Sequence, residues 1–282
     1  MAISSFSYQL IQTKKTVITP LDIEHYKRDG AVVLRGVFNE WIDVIAEGIE
    51  RNMASPGEYA SENAVATGEG RFFDDYCNWR RIPEFENVIL NSSVAALAAE
   101  IMQSSRAQFF HDHVLVKEPG TPKPTPWHQD SPYYFVNGEQ TVSFWIPIDA
   151  VKTASLRLIQ GSHRLPKLVR PVSWADDSDF YDQSQEWMSV PDPDASPDEH
   201  TVLEWALQPG DAVLFDFRTV HGARGNALDA RRRALSLRWV GDDARYVERG
   251  GRTSPPFPGH DMIEGQRLRE DWFPVVWNRP ED

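Results

Sequence analysis

Cysteine is nearly absent. Cys77 stands alone in 282 residues, so no disulfide can form within the chain, as suits a reducing compartment. Long apolar runs are missing too: nothing approaches the roughly 18 consecutive apolar residues of a membrane span. Met1 to Lys15 has no apolar stretch behind a basic start, so no signal peptide is expected and the cytoplasm is the expected location. Positive charge is short. Against 42 Asp and Glu stand 29 Lys and Arg, a formal net charge of -13. That balance disfavours nucleic acid and anionic membrane surfaces as partners. Oligomeric state is not legible.

Apolar residues are plentiful at 41%, enough for a sizeable core in a single domain over residues 1–282. The first part, to about residue 107, reads as mostly helical. Thr19-Pro20 is a helix start, with a capping hydroxyl before a proline at the first helical position, and predicts a helix over about 21–28. Ala31-Val32-Val33-Leu34 reads as a short strand. Asn39 caps a second helix carrying Ile42, Ile45, Ile49 and Met53 at helical spacing. Residues 54–70 read as loop, and 93–102 as an alanine-rich helix.

From about residue 108 to 245, short β-like runs alternate with Pro and Gly, the texture of a sandwich or barrel. Strands are predicted over 108–116, 127–134, 141–148, 156–160, 202–207, 212–217 and 234–240. Residues 171–200 are acidic and rich in Asp, Ser and Pro; a connection this long suggests a lid. Helices followed by strands give an α+β class, with helices backing one sheet of a jelly roll.

Chemistry concentrates in Trp127-His128-Gln129-Asp130 and, 93 positions after His128, Val220-His221-Gly222. On a strand, residues i and i+2 share a face, so His128 and Asp130 could grip one metal ion. His221 follows the apolar run 212–217, introduced by Pro209-Gly210-Asp211, and could supply a third ligand. Two histidines and a carboxylate form the facial triad of non-haem Fe(II) oxygenases, which leaves coordination positions open. Downstream, Arg231-Arg232-Arg233 enters the strand 234–240. Alternation puts Arg233, Leu235, Leu237 and Trp239 on the helix-facing side, and Arg232, Ala234, Ser236 and Arg238 inward. An inward guanidinium suits a dicarboxylate co-substrate, because it binds carboxylate as a planar, charge-assisted fork. Arg231 and Arg233 read as solvated.

These segments together, with Asp29-Gly30-Ala31-Val32-Val33-Leu34-Arg35-Gly36-Val37-Phe38, Gly161-Ser162-His163 and Arg232-Arg233-Ala234-Leu235, make the chain resemble the phytanoyl-CoA dioxygenase (PhyH) family of Fe(II)/2-oxoglutarate-dependent oxygenases. The resemblance spans about residues 19–239. It implies a double-stranded β-helix (cupin-like) in which His128, Asp130 and His221 hold Fe(II). It implies that Arg232 binds the distal carboxylate of 2-oxoglutarate, and that Gln129 and Trp145 line the co-substrate pocket. Lys117 is a further candidate anion contact. The implied reaction consumes O2 and 2-oxoglutarate and releases succinate and CO2 as a small soluble molecule is oxidised, most simply hydroxylated. Desaturation, epimerisation and cyclisation stay open. Asp130 argues against a halogenase, where a small residue frees that position for chloride. The sequence departs from the family at Ala223, where some members carry a serine that helps hold the co-substrate, and at Thr153-Ala154, in place of an Asn-Gly step.

Other polar residues carry two readings each. His111 and His113 share a strand face with Lys117 and either contact substrate or form a polar network. Tyr133 and Tyr134 follow the iron strand, where one should point to the cavity, for packing or recognition. Arg157 either binds an anionic substrate or faces solvent. His163 reads as a structural hydrogen-bonder and Cys77 as buried and inert. Two rival functions remain: a non-oxidative metal-binding jelly-roll isomerase or lyase, which has no use for Arg232, and a binding protein without turnover.

Overall fold

In a computed structural model, residues 18–62, 70–152, 156–174, 178–181, 186–226 and 229–280 are described. The elements run α1 (Pro20–Asp29), β1 (Ala31–Leu34), α2 (Ile42–Ala54), β2 (Ser61–Glu62), β3 (Phe72–Tyr76), α3 (Pro83–Asn91), α4 (Val94–Met102), β4 (Arg106–Lys117) and β5 (Thr125–His128). They continue through β6 (Val136–Asn137), β7 (Thr141–Pro147), β8 (Leu156–Ile159), β9 (Val202–Glu204), β10 (Ala212–Phe215), β11 (His221–Ala223), β12 (Arg232–Val240), β13 (Arg245–Tyr246) and β14 (Val275–Asn278). An eight-stranded sheet in the order β1-β10-β7-β12-β4-β3-β2, with β14 on β4, faces a four-stranded sheet β5-β11-β8-β9. Their pairings are antiparallel. This is the expected α+β jelly roll, with helices backing the larger sheet.

The alternation in β12 decides both faces of that sheet. Leu235, Leu237 and Trp239 pack outward into a core shared with Leu97, Ala98 and Ile101 of α4. Ala234 points inward against Trp145, Leu158, Val213 and Phe215, the core between the sheets. Burying a large apolar side chain is worth about 1.5–3 kcal/mol, so the pattern fixes β12's register; a one-residue slip would turn every arginine to the wrong face.

Three glycine-bearing turns lock the site end. Gly30, at φ +79°, ends α1. Its carbonyl accepts from the Thr219 hydroxyl, two residues before His221, and a β-carbon there would lie 2.5 Å from that hydroxyl. Ser162 donates to the Ile159 carbonyl at 2.7 Å and accepts from the Val220 amide at 2.8 Å, bolting β8 to the chain entering β11. Asp211 gathers the Gly36 amide and Arg35. His163 contacts the Lys27 carbonyl through Nε2 and so ties the same turn to α1.

Several expectations need correction. The strand predicted over 127–134 stops at His128; Ser131–Tyr133 form a 3-10 turn, because Pro132 has no N–H for a ladder. Asp130 therefore reaches the site from a turn, and sharing a strand face is not what brings it to His128. Asn39 does not cap α2, whose flanking residue is Trp41. Its amide instead sits where a β-carbon on Gly210, at φ +95°, would fall. The strand predicted over 202–207 ends at Glu204. The N-terminal part contributes β1–β3 as well as helices. Cys77 is only partly buried, although burial of its thiol pushes the pKa well up. Thr153 and Ala154 lie outside the described residues. No helix among the described residues is long and apolar enough to cross a membrane.

Candidate metal centre and its two cavities

His128 closes β5, His221 opens β11, and the two are direct partners across the antiparallel pair, with ring centroids 4.2 Å apart. Each Nδ1 contacts the carbonyl of the residue two positions back, Pro126 at 2.8 Å and Thr219 at 2.9 Å. A carbonyl only accepts, so each Nδ1 carries the proton and each Nε2 is bare, the tautomer a metal needs. Asp130 completes the set. Its Oδ1 lies 3.8 Å from each Nε2, while Oδ2 accepts from the Ser143 hydroxyl at 3.0 Å and Arg238 Nε at 3.4 Å. The three donor atoms lie within 4.8 Å of one another, and all three residues are buried.

Electrostatics set the protonation states for ligation. Burial, with His221 alongside, lowers His128 to about 3. His221 is lowered as well, again chiefly by burial. Burial alone would raise the Asp130 carboxyl, but Arg238 and then the two imidazoles outweigh it and hold the group well below the usual carboxylate range. At neutral pH the site is two neutral imidazoles and one carboxylate, a donor set suited to a divalent iron with faces left open. The residues fit the metal that the resemblance implies.

Two cavities meet here. The larger, about 260 Å³, reaches His128 and Asp130 and is lined by His111, His113, Tyr133, Tyr134 and Arg238, with Val172 and Trp174 from the 171–200 segment. The smaller, about 30 Å³, lies on the His128 and His221 side and ends at Arg232, Trp145, Phe215 and Ser236. Arg232 is 8% exposed; burial lowers its pKa to about 10, so it stays charged. On one side of the triad sits a narrow pocket with a buried cation, on the other a roomier aromatic one.

The remaining candidates separate cleanly. Trp145, His111, His113, Tyr133 and Tyr134 line these cavities. Gln129 lines neither; it is fully buried, donating to the Arg218 carbonyl and accepting from the Val169 amide. Lys117 is also outside them. It donates to the carbonyls of Lys123 and Arg224, and burial beside Arg232 lowers it to about 6. Arg157 neither faces solvent nor lines the cavities: it holds Asp194 through two hydrogen bonds of 2.8 and 2.7 Å and stacks on Trp127. It thereby fastens Asp194, within the segment expected to be a lid, to the barrel. The segment is further held by Tyr133, whose hydroxyl donates to the Val172 carbonyl and accepts from the Val172 amide. Sequence reasoning missed Ser143, Trp174 and the Asp130 contact of Arg238. Only Arg238 left a signal, through its inward alternation.

The family profile described as phytanoyl-CoA dioxygenase (PhyH) matches residues 26–234. Comparison with curated protein sequences returns no match. Among solved structures, the chain is similar to the non-heme alpha-ketoglutarate-dependent carbocyclase SnoK from nogalamycin biosynthesis, at 22% identity and TM-score 0.70, over 92% of this chain and 97% of that one. It is similar to the epimerase SnoN in complex with Fe3+, alpha-ketoglutarate and nogalamycin RO, at 21% identity and TM-score 0.71, over 91% and 98%. It is also similar to EctD from S. alaskensis with 2-oxoglutarate and 5-hydroxyectoine, at 17% identity and TM-score 0.66, over 90% and 87%. At these identities the likeness establishes the fold.

Proposed function

The chain belongs to the phytanoyl-CoA dioxygenase family, Fe(II)/2-oxoglutarate-dependent dioxygenases, and from that premise we propose that it oxidises a small soluble molecule, most simply by hydroxylation, at His128, Asp130 and His221. The observation that carries the reading is the convergence of these three donor atoms at the junction of two unlike cavities. Iron, when bound, supplies activation of O2 coupled to conversion of 2-oxoglutarate to succinate and CO2. The chain's own residues do the rest. Arg232 receives the distal carboxylate of 2-oxoglutarate in the smaller cavity, where water is scarce and a charge-assisted fork is strong. Ser143 and Arg238 hold Oδ2 of Asp130 and so present Oδ1 to the metal. Trp174, whose ring lies 4.9 Å from that of His128, and the Tyr133–Val172 clamp exclude water on the substrate side.

The carbocyclase and epimerase neighbours show that this fold hosts outcomes other than hydroxylation, and the substrate's position against the metal decides among them. Family membership sets aside the non-oxidative isomerase or lyase. The test is metal binding by His128→Ala, Asp130→Ala and His221→Ala, followed by Mn(II) magnetic resonance and by succinate release with iron. Each variant should stay folded, lose tight Mn(II) binding and release no succinate. Normal succinate formation by any one of them would sink the assignment.

A further inference from the structure

This inference rests on reading the larger cavity as the substrate site. Arg238 on β12 and His111 on β4 are direct cross-strand partners, so their side chains stand next to each other on one face. Both are buried, at 5% and 2% exposure, and both line the larger cavity. Each has one polar atom with no hydrogen-bond partner among the described residues: Nη1 of Arg238 and Nε2 of His111. Buried polar atoms rarely go unpaired in native folds, and an unpaired guanidinium N–H is among the costliest. Two such atoms, on cross-strand partners that both line one cavity, point to a ligand that completes them.

Their chemistry is complementary. Arg238 spends Nε on Asp130, which leaves Nη1 as a charged donor. The Nδ1 of His111 lies 3.1 Å from the Asp112 carbonyl and therefore carries the proton, so Nε2 is an acceptor. Burial, with Arg238 beside it, keeps that imidazole neutral. Much of the rest of the wall is aromatic: Tyr59 and Tyr76 stack at 5.0 Å and 6°, and Tyr133, Trp174 and Phe180 also line it, with Asp74, His113 and three serines as the further polar groups. Flat rings pack well between such faces.

We propose that Arg238 and His111 recognise the substrate as a pair: Nη1 donates to a carbonyl, phenolate or carboxylate oxygen, and Nε2 accepts from a hydroxyl on the neighbouring carbon. The substrate class is then a flat ring compound with a hydroxyl next to an acceptor oxygen. Recognition at that edge fixes which ring position faces the metal. Arg232 and Arg238 lie on the same inward face of β12, six residues or about 20 Å of strand apart, so one strand orients the co-substrate at one end and the substrate at the other.

The test uses the full chain with Mn(II) and 2-oxoglutarate and three fluorescent probes. They are 1-hydroxy-2-naphthoate, 2-naphthoate (no hydroxyl) and 1-naphthol (no acceptor group). The first should bind at least ~10-fold tighter than 1-naphthol, since a hydrogen bond to a charged group is worth that much, and at least ~3-fold tighter than 2-naphthoate, which forgoes a hydrogen bond to a neutral imidazole. Arg238→Lys and Arg238→Gln should erase the advantage over 1-naphthol, and His111→Phe the advantage over 2-naphthoate, each leaving the other contrast standing. Equal binding of the three probes by the unaltered protein overturns the proposal, as does discrimination that survives both sets of substitutions. If Arg238→Gln loses Mn(II) and probe together while Arg238→Lys keeps both, the arginine serves Asp130 and the proposal falls. If the unaltered chain binds neither Mn(II) nor 2-oxoglutarate but still discriminates the probes, and these substitutions erase that discrimination, the oxygenase reading fails and the pair stands.

Discussion

Replacing Arg232 with alanine tests the co-substrate assignment through a contrast built into the sequence. Arg232 and Arg233 are adjacent and chemically identical, yet they face opposite ways. Arg232 is buried at the end of the smaller cavity. Arg233 holds Asp149 through its Nε and Nη2 and Glu50 through its Nη1. In Arg232→Ala, the distal carboxylate of 2-oxoglutarate loses its buried, charge-assisted partner, a truncation that costs about 2–5 kcal/mol. At about 1.36 kcal/mol per tenfold, the concentration of 2-oxoglutarate needed for half-maximal succinate formation should rise at least about 30-fold. Arg232→Lys, a point charge without the fork, should fall between. Arg233→Ala removes partly exposed ion pairs worth about 0–1 kcal/mol of stability and should leave that concentration within about twofold. Calorimetric titration of 2-oxoglutarate into the Mn(II) protein gives the same comparison without turnover. Equal effects of the two substitutions would refute the facing of β12 and the role of Arg232 together.

Ser162→Ala should destabilise far out of proportion to one lost hydroxyl, since it strands the buried Val220 amide and frees the Ile159 carbonyl. The cost is about 1–3 kcal/mol, or a drop in melting temperature of roughly 2–12 °C for a chain of this size; no change would mean the turn does not hold β11. Tyr133→Phe removes the Val172 clamp and should raise the succinate formed per molecule of substrate oxidised, with iron affinity unchanged. Unaltered coupling would deny the segment its water-excluding role. Asp216 is a pH prediction. Burial raises its carboxyl to about 7, against about 3.9 unfolded. The folded state keeps a proton that the unfolded chain has released, so this stabilisation is complete below about pH 4 and lost as pH rises to about 7. Asp216→Asn should therefore remove about 2–3 kcal/mol of the stability decline between pH 5 and pH 8 in urea titrations. An identical decline in both proteins would contradict the assignment.

Alternation of apolar and charged residues made the sheet faces legible, because burial of Leu235, Leu237 and Trp239 and inward placement of Arg232 and Arg238 follow from period two. The Ser162 and Gly210 turns were legible because glycine and small polar residues mark places where backbone must turn sharply or be capped. The triad was legible as residue types, but its geometry was not. Periodicity cannot say that β5 ends at His128, so Asp130's approach from a turn surfaced only with the pairing of β5 and β11. Gln129, Lys117 and Arg157 show the commonest failure: a polar side chain near a site is as often satisfied by backbone carbonyls or a neighbouring loop as by a ligand, and that choice depends on contacts remote in sequence. Ser143 and Trp174 carry no local pattern at all.

The central claim is one Fe(II) held by His128, Asp130 and His221 with 2-oxoglutarate beside it. The most direct measurement is anaerobic visible spectroscopy of the purified chain with Fe(II), before and after 2-oxoglutarate is added. A weak charge-transfer band that requires both additions, and is absent in His221→Ala, is the predicted result. Iron bound normally with no band on adding 2-oxoglutarate, or an undiminished band in His221→Ala, would contradict it.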